Sequence, residues 1–514
     1  MSGELVLGID IGTYSSKGVL CDASGKVLAT RAVEHGLSLP KPGWAEQDGE
    51  TIWWSDFIKL CRSLPSEAGC SPEEIAAVAV SGLGPDLLPL DEKSRPLRPA
   101  ILYGIDTRAY NEIEQLNRQF GEQELYELSG MALTSQAIGP KLLWLKNNEP
   151  EIYRQTRYIT SCSSYLVQRL TGEYVLDYHT ASHFNPLFDI RNLKWTDRFA
   201  EPIWDVEKLP RLAWATEIGG QVTTQASKET GLKSGTPVTT GTIDAVAEAL
   251  SVGVVEPGDM MLMYGTTFFF ILVAEKPVTD PRMWLTAYAN SGNYAVAGGM
   301  STTGALTRWF RDQLAPDLLA AEQKGGAPAY AILSEEAGHV PPGARGLLVL
   351  PHFQGERTPI HDPHARGLFA GLTLTHTRTE MYRAVLEATA YGVNQNLQVM
   401  QEMGAKPKRL VAVGGGAKSK TWLQIVSDVT GTSQDVPQQI IGASYGDAFL
   451  AAYASGLVKD FDTLSKVWVG TPARIEPDAK NHALYNEYYD LFLQMYRQTS
   501  EISHRLARLG AQDF

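Results

Sequence analysis

Asp10, Gly12 and Thr13 close the apolar run Leu5–Ile9, and Lys17 stands a few residues further on. A strand that delivers a carboxylate, a glycine and a hydroxyl into a tight turn suits a phosphate. Gly12 has no side chain, so backbone N–H groups can approach an anion there. Asp10 repels a bare phosphate and belongs beside one only with a divalent cation or a proton between them. The turn therefore reads as a nucleotide-phosphate and Mg²⁺ site, with an ordinary β-turn as the alternative for these residues alone. Asp244 follows Thr240-Gly241-Thr242-Ile243 and opens an Ala-rich helical stretch, where it can serve as a general base or as a helix N-cap. Gly265-Thr266-Thr267 offers backbone and hydroxyl donors to a terminal phosphate, or is a plain hairpin turn. Gly414-Gly415-Gly416 lets a flat nucleoside lie against bare backbone, or is a flexible loop. Asp106 and Arg108 can bind polyhydroxyl groups as a pair, or form a surface salt bridge.

The elements that must hold these residues are legible in outline. Residues 5–12 and 17–22 read as two strands of a meander, Asp22–Gly25 as a turn and Val27–Val33 as a third strand. A helix starts near Asp48 with Ile52, Trp53, Phe57, Leu60, Cys61 and Leu64 on one face. Ile75–Val80 is a near-continuous apolar run, as in a strand buried on both faces, and feeds the loop Ser81–Asp86. Helical patterns cover Asp106–Phe120, Gly139–Asn148 and Cys162–Leu170, and a strand is expected over Thr236–Gly241. After the turn Val254–Asp259 the chain restarts as strand, turn and returning strand: Met260–Tyr264, Gly265–Thr267, Phe268–Ala274. Helices are expected over Glu380–Met400, Lys420–Thr430 and 480–508, with a strand at Leu410–Val413. Hairpin strands followed by alternating helix and buried strand give an α/β class with a mixed sheet.

A chain of 514 residues exceeds one core, and 44% hydrophobic with 20% charged residues describes a globular protein. The net charge of −13 supplies no basic footprint, which argues against nucleic acid and an anionic membrane surface as partners. Cys21, Cys61, Cys70 and Cys162 show neither CxxC pairing nor metal-ligand spacing. The first apolar run is short and interrupted, unlike a signal peptide, and a cytoplasmic location is expected by default.

One ordered set of stretches resembles a known family. Gly367-Leu368-Phe369-Ala370-Gly371-Leu372 followed by Glu380–Glu387 fits the second signature of the FGGY carbohydrate kinases without a mismatch. Lys141-Leu142-Leu143-Trp144-Leu145 fits the first signature in part, with the small residues upstream displaced. Pro42–Asp48, Gly355–Pro359, Asp362–Gly367, Asp177–Ile190 and Gly235–Asp259 also follow the family pattern. The resemblance runs from Leu5 to about residue 500. It implies two duplicated domains of the actin/Hsp70/sugar-kinase (ribonuclease H-like) fold, 1–253 binding sugar and 254–514 binding nucleotide, with a cleft between them. It also implies ATP and Mg²⁺ as cofactors and is compatible with a homodimer. On this resemblance Asp10 holds Mg²⁺, Gly12 and Thr13 form the first phosphate loop, and Lys17 is the basic residue near the transferred phosphate. Gly265, Thr266 and Thr267 form the second phosphate loop, Gly414, Gly415, Gly416 and Ala417 the adenosine loop, and Asp244 is the general base.

The expected sugar pocket departs from the family pattern. Where xylulose kinases carry a Met-His pair this chain has Gly84-Pro85, and where an Asn follows the base it has Ala245. With Asp86, Asp106 and Arg108 these are the substrate-side candidates, and the pocket should be larger and less polar there unless Asp86 or another loop fills it. A site that hydrogen-bonds hydroxyls discriminates strongly, so the preferred substrate should shift. The expectation is phosphorylation of a small sugar, a ketopentose such as xylulose or a relative. A polyol, a deoxy sugar or a sugar acid is the alternative, as is a non-catalytic sugar- or nucleotide-responsive protein of the same fold.

Overall fold

In this computed structural model, which describes residues 4–510, the run Leu5–Ile11 is a strand, β1, buried along all but its first residue. It turns through Gly12 and returns antiparallel as β2, Ser15–Asp22, with Lys17 opposite Asp10. β3, Val27–Glu34, extends the meander. The helix expected near Asp48 is capped by that residue, whose Oδ1 accepts from Glu50 N and Thr51 N at 3.0 and 2.7 Å. Its first turn is π-helical before the regular helix Ser55–Ala68. β4, Ile75–Gly82, lies parallel to β1 and brings Ser81 opposite Asp10. β5, Ile218–Gln221, pairs with β6, Pro237–Thr239, and β6 lies parallel on the far side of β4. The strand expected over Thr236–Gly241 breaks at Gly241, whose φ of +80° leaves the extended region. It resumes as β7, Thr242–Ile243, still parallel to β4. The result is a mixed sheet in the order β5-β6-β4-β1-β2-β3.

A second sheet repeats the plan. β8, Asp259–Tyr264, turns through Gly265 and returns antiparallel as β9, Phe268–Ala274. β10, Arg409–Val413, lies parallel to β8 as β4 lies parallel to β1. β11, Gln434–Val436, is parallel to β10, and β12, Ala473–Ile475, closes antiparallel. The long helix expected over Glu380–Met400 spans Arg378–Glu402, started by a Thr377/Glu380 capping box. Lys420–Thr430 is helical as expected, and the C-terminal helix runs Ala479–Gly510.

The chain divides into two units, residues 1–255 with 273–295 and 439–470, and residues 256–272 with 296–438 and 471–514. The first crossing lies close to the expected 253/254. The stretch 254–514 is not one piece, however, because 273–295 and 439–470 pack into the first unit. The helix expected from Asp106 starts only at Tyr110. The Asp106 carboxylate holds Ala45 N at 2.7 Å and Arg108 N at 3.0 Å, which fixes the preceding residues as a loop.

Glycines set how closely the first unit's layers meet. A Cβ on Gly8 of β1 would lie 2.0 Å from Ser444 O, and one on Gly446 would lie 1.9 Å from Ala247 O. The helix Ala443–Ala454 therefore touches both β1 and the helix Asp244–Ser251 backbone to backbone. Overpacking such a contact destabilises by about 1–3 kcal/mol. Gly446→Ala should lower the urea midpoint of unfolding, whereas Gly36→Ala, where nothing lies within 4 Å, should leave it unchanged.

Candidate active site

In the first unit, β1, β4 and the helix Asp244–Ser251 bring acids together. Asp10 is 8% exposed at the end of β1. Ser81 Oγ lies 3.1 Å from Asp10 Oδ1 and 2.6 Å from Asp447 Oδ2. Ser81 has one hydroxyl proton between the two carboxylates, and Asp447, fully buried, is held well above the usual carboxylate range by burial. Burial pushes Asp10 up to about 6, against the hydrogen bond from Ser81 and the charge of Lys17. Lys17 is exposed.

Asp244 is the first residue of its helix, and Ile243 occupies the cap position. The plain N-cap alternative therefore does not describe it. Burial and then the Asp10 charge raise its proton affinity well above normal. Glu248, one turn on, is pushed up to about 7 by burial and Asp10. Ala245 is half-buried beside Asp244.

The turn after β1 is braced from behind. His35 Nε2 donates to Gly12 O at 2.9 Å while its Nδ1 meets Asp56 Oδ2 at 2.9 Å. Burial works against the Asp56 charge, yet hydrogen bonds from His35, Lys59 and Ser16 hold its carboxyl below the usual range. Gln47 Nε2 donates to Thr13 O at 2.7 Å, and Thr13 Oγ1 lies 2.8 Å from Tyr103 OH.

On the expected substrate side, a Cβ on Gly84 would lie 3.0 Å from Ile243, so the loop Gly84-Pro85-Asp86 abuts the residue before Asp244. The Asp106–Arg108 pair is not the surface salt bridge of the sequence alternative. Both side chains are wholly buried, and Arg108 also pairs with Glu46 and lies 3.9 Å from the centre of the Trp44 ring. These commitments make the pair a brace for the loop that carries Tyr103.

In the second unit, the turn Gly265–Thr267 is docked on the start of the helix Gly304–Leu314. Gly304 N donates to Gly265 O at 3.1 Å and Ala305 N to Thr266 O at 2.8 Å. Gly414 takes φ +90° because a Cβ there would meet Tyr264 O at 2.8 Å, and Gly415–Lys418 form an ordered 3₁₀ turn rather than a flexible loop. A cavity of about 820 Å³, the size of a small-molecule site, is lined by Gly265, Thr266, Gly415 and Gly416. Tyr264, Tyr330, Tyr382 and Trp422 give it aromatic walls, and Arg308, Lys418 and Lys420 give it positive charge. Thr267 and Gly414 do not line it, and Ala417 is buried away from it.

Family models for the N-terminal and C-terminal domains of the FGGY family of carbohydrate kinases match residues 5–251 and 260–455. The chain belongs to that family. It is 29% identical over 497 residues to a gluconokinase of Bacillus subtilis (strain 168), covering 96% of this chain and 95% of that one. It is 29% identical over 514 residues to a xylulose kinase of Lactococcus lactis subsp. lactis (strain IL1403), covering 98% and 99%. The crystal structure of xylulose kinase from Rhodospirillum rubrum superposes with a TM-score of 0.91 at 30% identity, over 97% of this chain and 100% of that one. This FGGY kinase is thus a sugar kinase with relatives of both neutral-sugar and sugar-acid names. No helix among its described residues is long and apolar enough to cross a membrane.

Sequence reasoning missed Glu248, Asp447, Tyr103 and the aromatic walls of the cavity. Glu248 had a signal, since it stands four residues after Asp244 on the same helix face. Tyr264 had one too, as the residue before the Gly265 turn.

Among the described residues no group of three His, Cys, Asp or Glu side chains forms a ready metal site. The mutual repulsion of Asp10, Asp244 and Glu248 is nevertheless what a cation at Asp10 would relieve. The donor set fits an Mg²⁺ held by one carboxylate together with nucleotide phosphates and water.

Proposed function

We propose that this FGGY kinase uses ATP and Mg²⁺ to phosphorylate a hydroxyl of a small sugar or polyol, with xylulose and related ketopentoses as the first class. The observation that carries the reading is Asp244, a half-buried carboxyl whose proton affinity is raised beside Asp10 and the Gly84–Asp86 loop. A base of raised affinity draws the proton from the sugar hydroxyl as that oxygen bonds to the γ-phosphorus and the bond to ADP breaks. Gly12 and Thr13 in the first unit, and Gly265, Thr266 and Thr267 in the second, are the phosphate-binding candidates, and Gly415 and Gly416 with the aromatic cavity would hold the nucleoside, Gly414 and Ala417 shaping that turn from outside the cavity. Mg²⁺ at Asp10 would offset charge on the phosphoryl oxygens, where most of the acceleration in such reactions arises. Lys17, exposed beside Asp10, has the reach to add to that. The four free cysteines and the ATP requirement suit a cytoplasmic setting.

A coupled ADP-release assay across D-xylulose, D-ribulose, erythritol, glycerol and D-gluconate, with and without Mg²⁺, tests the reading. ADP release should require both a sugar or polyol and Mg²⁺. Hydrolysis at full rate without any acceptor contradicts it, and no ADP with any of them favours a non-catalytic binding protein.

A further inference from the structure

Two oppositely charged side chains in the first unit each bury a polar atom without a hydrogen-bond partner. Asp86 is wholly buried, and its Oδ1 accepts from Tyr103 N at 3.0 Å while its Oδ2 has no partner. Lys141, on the helix Ile138–Asn148, is 1% exposed, and its Nζ, with three protons to donate, has no partner either. Burial pushes the Asp86 carboxyl well up and pulls the Lys141 ammonium down to about 8, and each charge offsets the other's shift. The two sense each other yet do not meet as a hydrogen-bonded pair. Buried charges left like this are costly, and buried polar atoms without partners in a native protein call for a ligand or a water.

Their surroundings lie on the side of Asp244. Asp86 acts on Asp244 through space, and its loop abuts Ile243. The residue Asp86 anchors, Tyr103, has its hydroxyl 2.8 Å from Thr13 Oγ1. Arg108, the other cation near Lys141, is paired with Asp106 and Glu46.

We propose that Asp86 Oδ2 and Lys141 Nζ clamp one hydroxyl of the substrate, and that the substrate is therefore a neutral ketose or polyol rather than a sugar acid. A hydroxyl donates to Asp86 and accepts from Lys141 at once. A carboxylate can only accept, so an ionised Asp86, the form that Lys141 favours, would oppose it, and Asp244 and Asp10 add further negative charge when ionised. The proposal rests on the kinase reading and narrows its substrate.

The test uses the full chain and two readouts: steady-state ADP release, and the melting-temperature shift produced by each sugar without nucleotide. The probes are D-xylulose, D-ribulose, erythritol and D-gluconate. Wild type should favour a neutral probe over gluconate by about tenfold or more in kcat/KM. Asp86→Asn should raise the KM of that probe by about tenfold, with a smaller change in kcat and in the KM for ATP, and abolish the sugar-induced melting shift. Should that variant not fold, the double variant Asp86→Leu, Lys141→Met, which removes both charges, takes its place with the same expectation. Gluconate as the best wild-type substrate overturns the proposal and leaves the kinase reading standing. So does an unchanged KM for the neutral sugar in a folded variant, which would assign the gap to water. A neutral-sugar melting shift that Asp86→Asn abolishes, with no ADP release at all, supports the clamp and overturns the kinase reading. No neutral probe bound or turned over by wild type overturns the clamp.

Discussion

Asp244→Asn should yield a folded protein that binds ATP and turns over sugar about 10³-fold more slowly than wild type. The amide keeps the shape of the side chain and its place at the start of the helix, but it cannot take a proton. It also removes a negative charge next to Asp10, so a loss of fold is not the expected cause of the loss of rate. The pH profile supplies an independent sign. As the proposed general base Asp244 would work only when ionised, and burial with the Asp10 charge moves its ionisation upward. Wild-type kcat/KM should therefore rise with pH through the range where that proton leaves. In Asp244→Asn the rising limb should vanish along with most of the rate. A variant that retains wild-type kcat would remove the base from the mechanism.

Asp10→Asn should separate activity from stability in opposite directions. Loss of the carboxylate should raise the Mg²⁺ concentration needed for half-maximal rate and lower kcat by about 10²-fold or more. The protein without ligands should become more stable at pH 8. Folding lifts the Asp10 carboxyl from its ordinary value to about 6, so between pH 4 and 6 the folded chain keeps a proton that the unfolded chain releases. Stability falls as pH climbs through that window, and the penalty is fully in place above it. A tenfold change in proton affinity is worth about 1.4 kcal/mol, so removing the charge should gain about 1–3 kcal/mol. Glu248, pushed up to about 7, adds a second decline of the same sign. Urea unfolding of both proteins at pH 5 and pH 8 measures the effect. An Asp10→Asn protein that is less stable than wild type at pH 8 would mean that the carboxylate braces the fold rather than waiting for a cation.

Much of this was readable in the chain itself. Leu5–Ile11 and Asp259–Tyr264 are apolar runs that end in a glycine turn, and that pattern is enough to announce both hairpins. Ser419 before Lys420 marks a helix start for local reasons, since its hydroxyl accepts from Trp422 N. What stayed hidden depends on distant parts of the chain. Tyr330 and Tyr382 reach the cavity from helices whose order in the chain says nothing about a shared wall. The helix Ala443–Ala454 is buried on nearly every side, so it shows no apolar stripe, and Asp447 within it gave no warning. Asp106 and Arg108 read as a polyhydroxyl-binding pair or a surface salt bridge, and their buried network stayed hidden because Glu46, which completes it, lies far upstream. The glycines carried real information that spacing could not decode: Gly8 lets its strand meet Ser444, a residue more than four hundred positions away.

That contact bears on how the protein can be made. The seat of Asp10 and Asp244 is roofed by a segment emerging from the ribosome only after more than four-fifths of the chain has been translated. A fragment cut at the family's N-terminal boundary would leave the Gly8 face of its central strand bare and Ser81 without its second acid. Such a fragment should fold poorly, whereas supplying residues 439–470 in trans should help it recover.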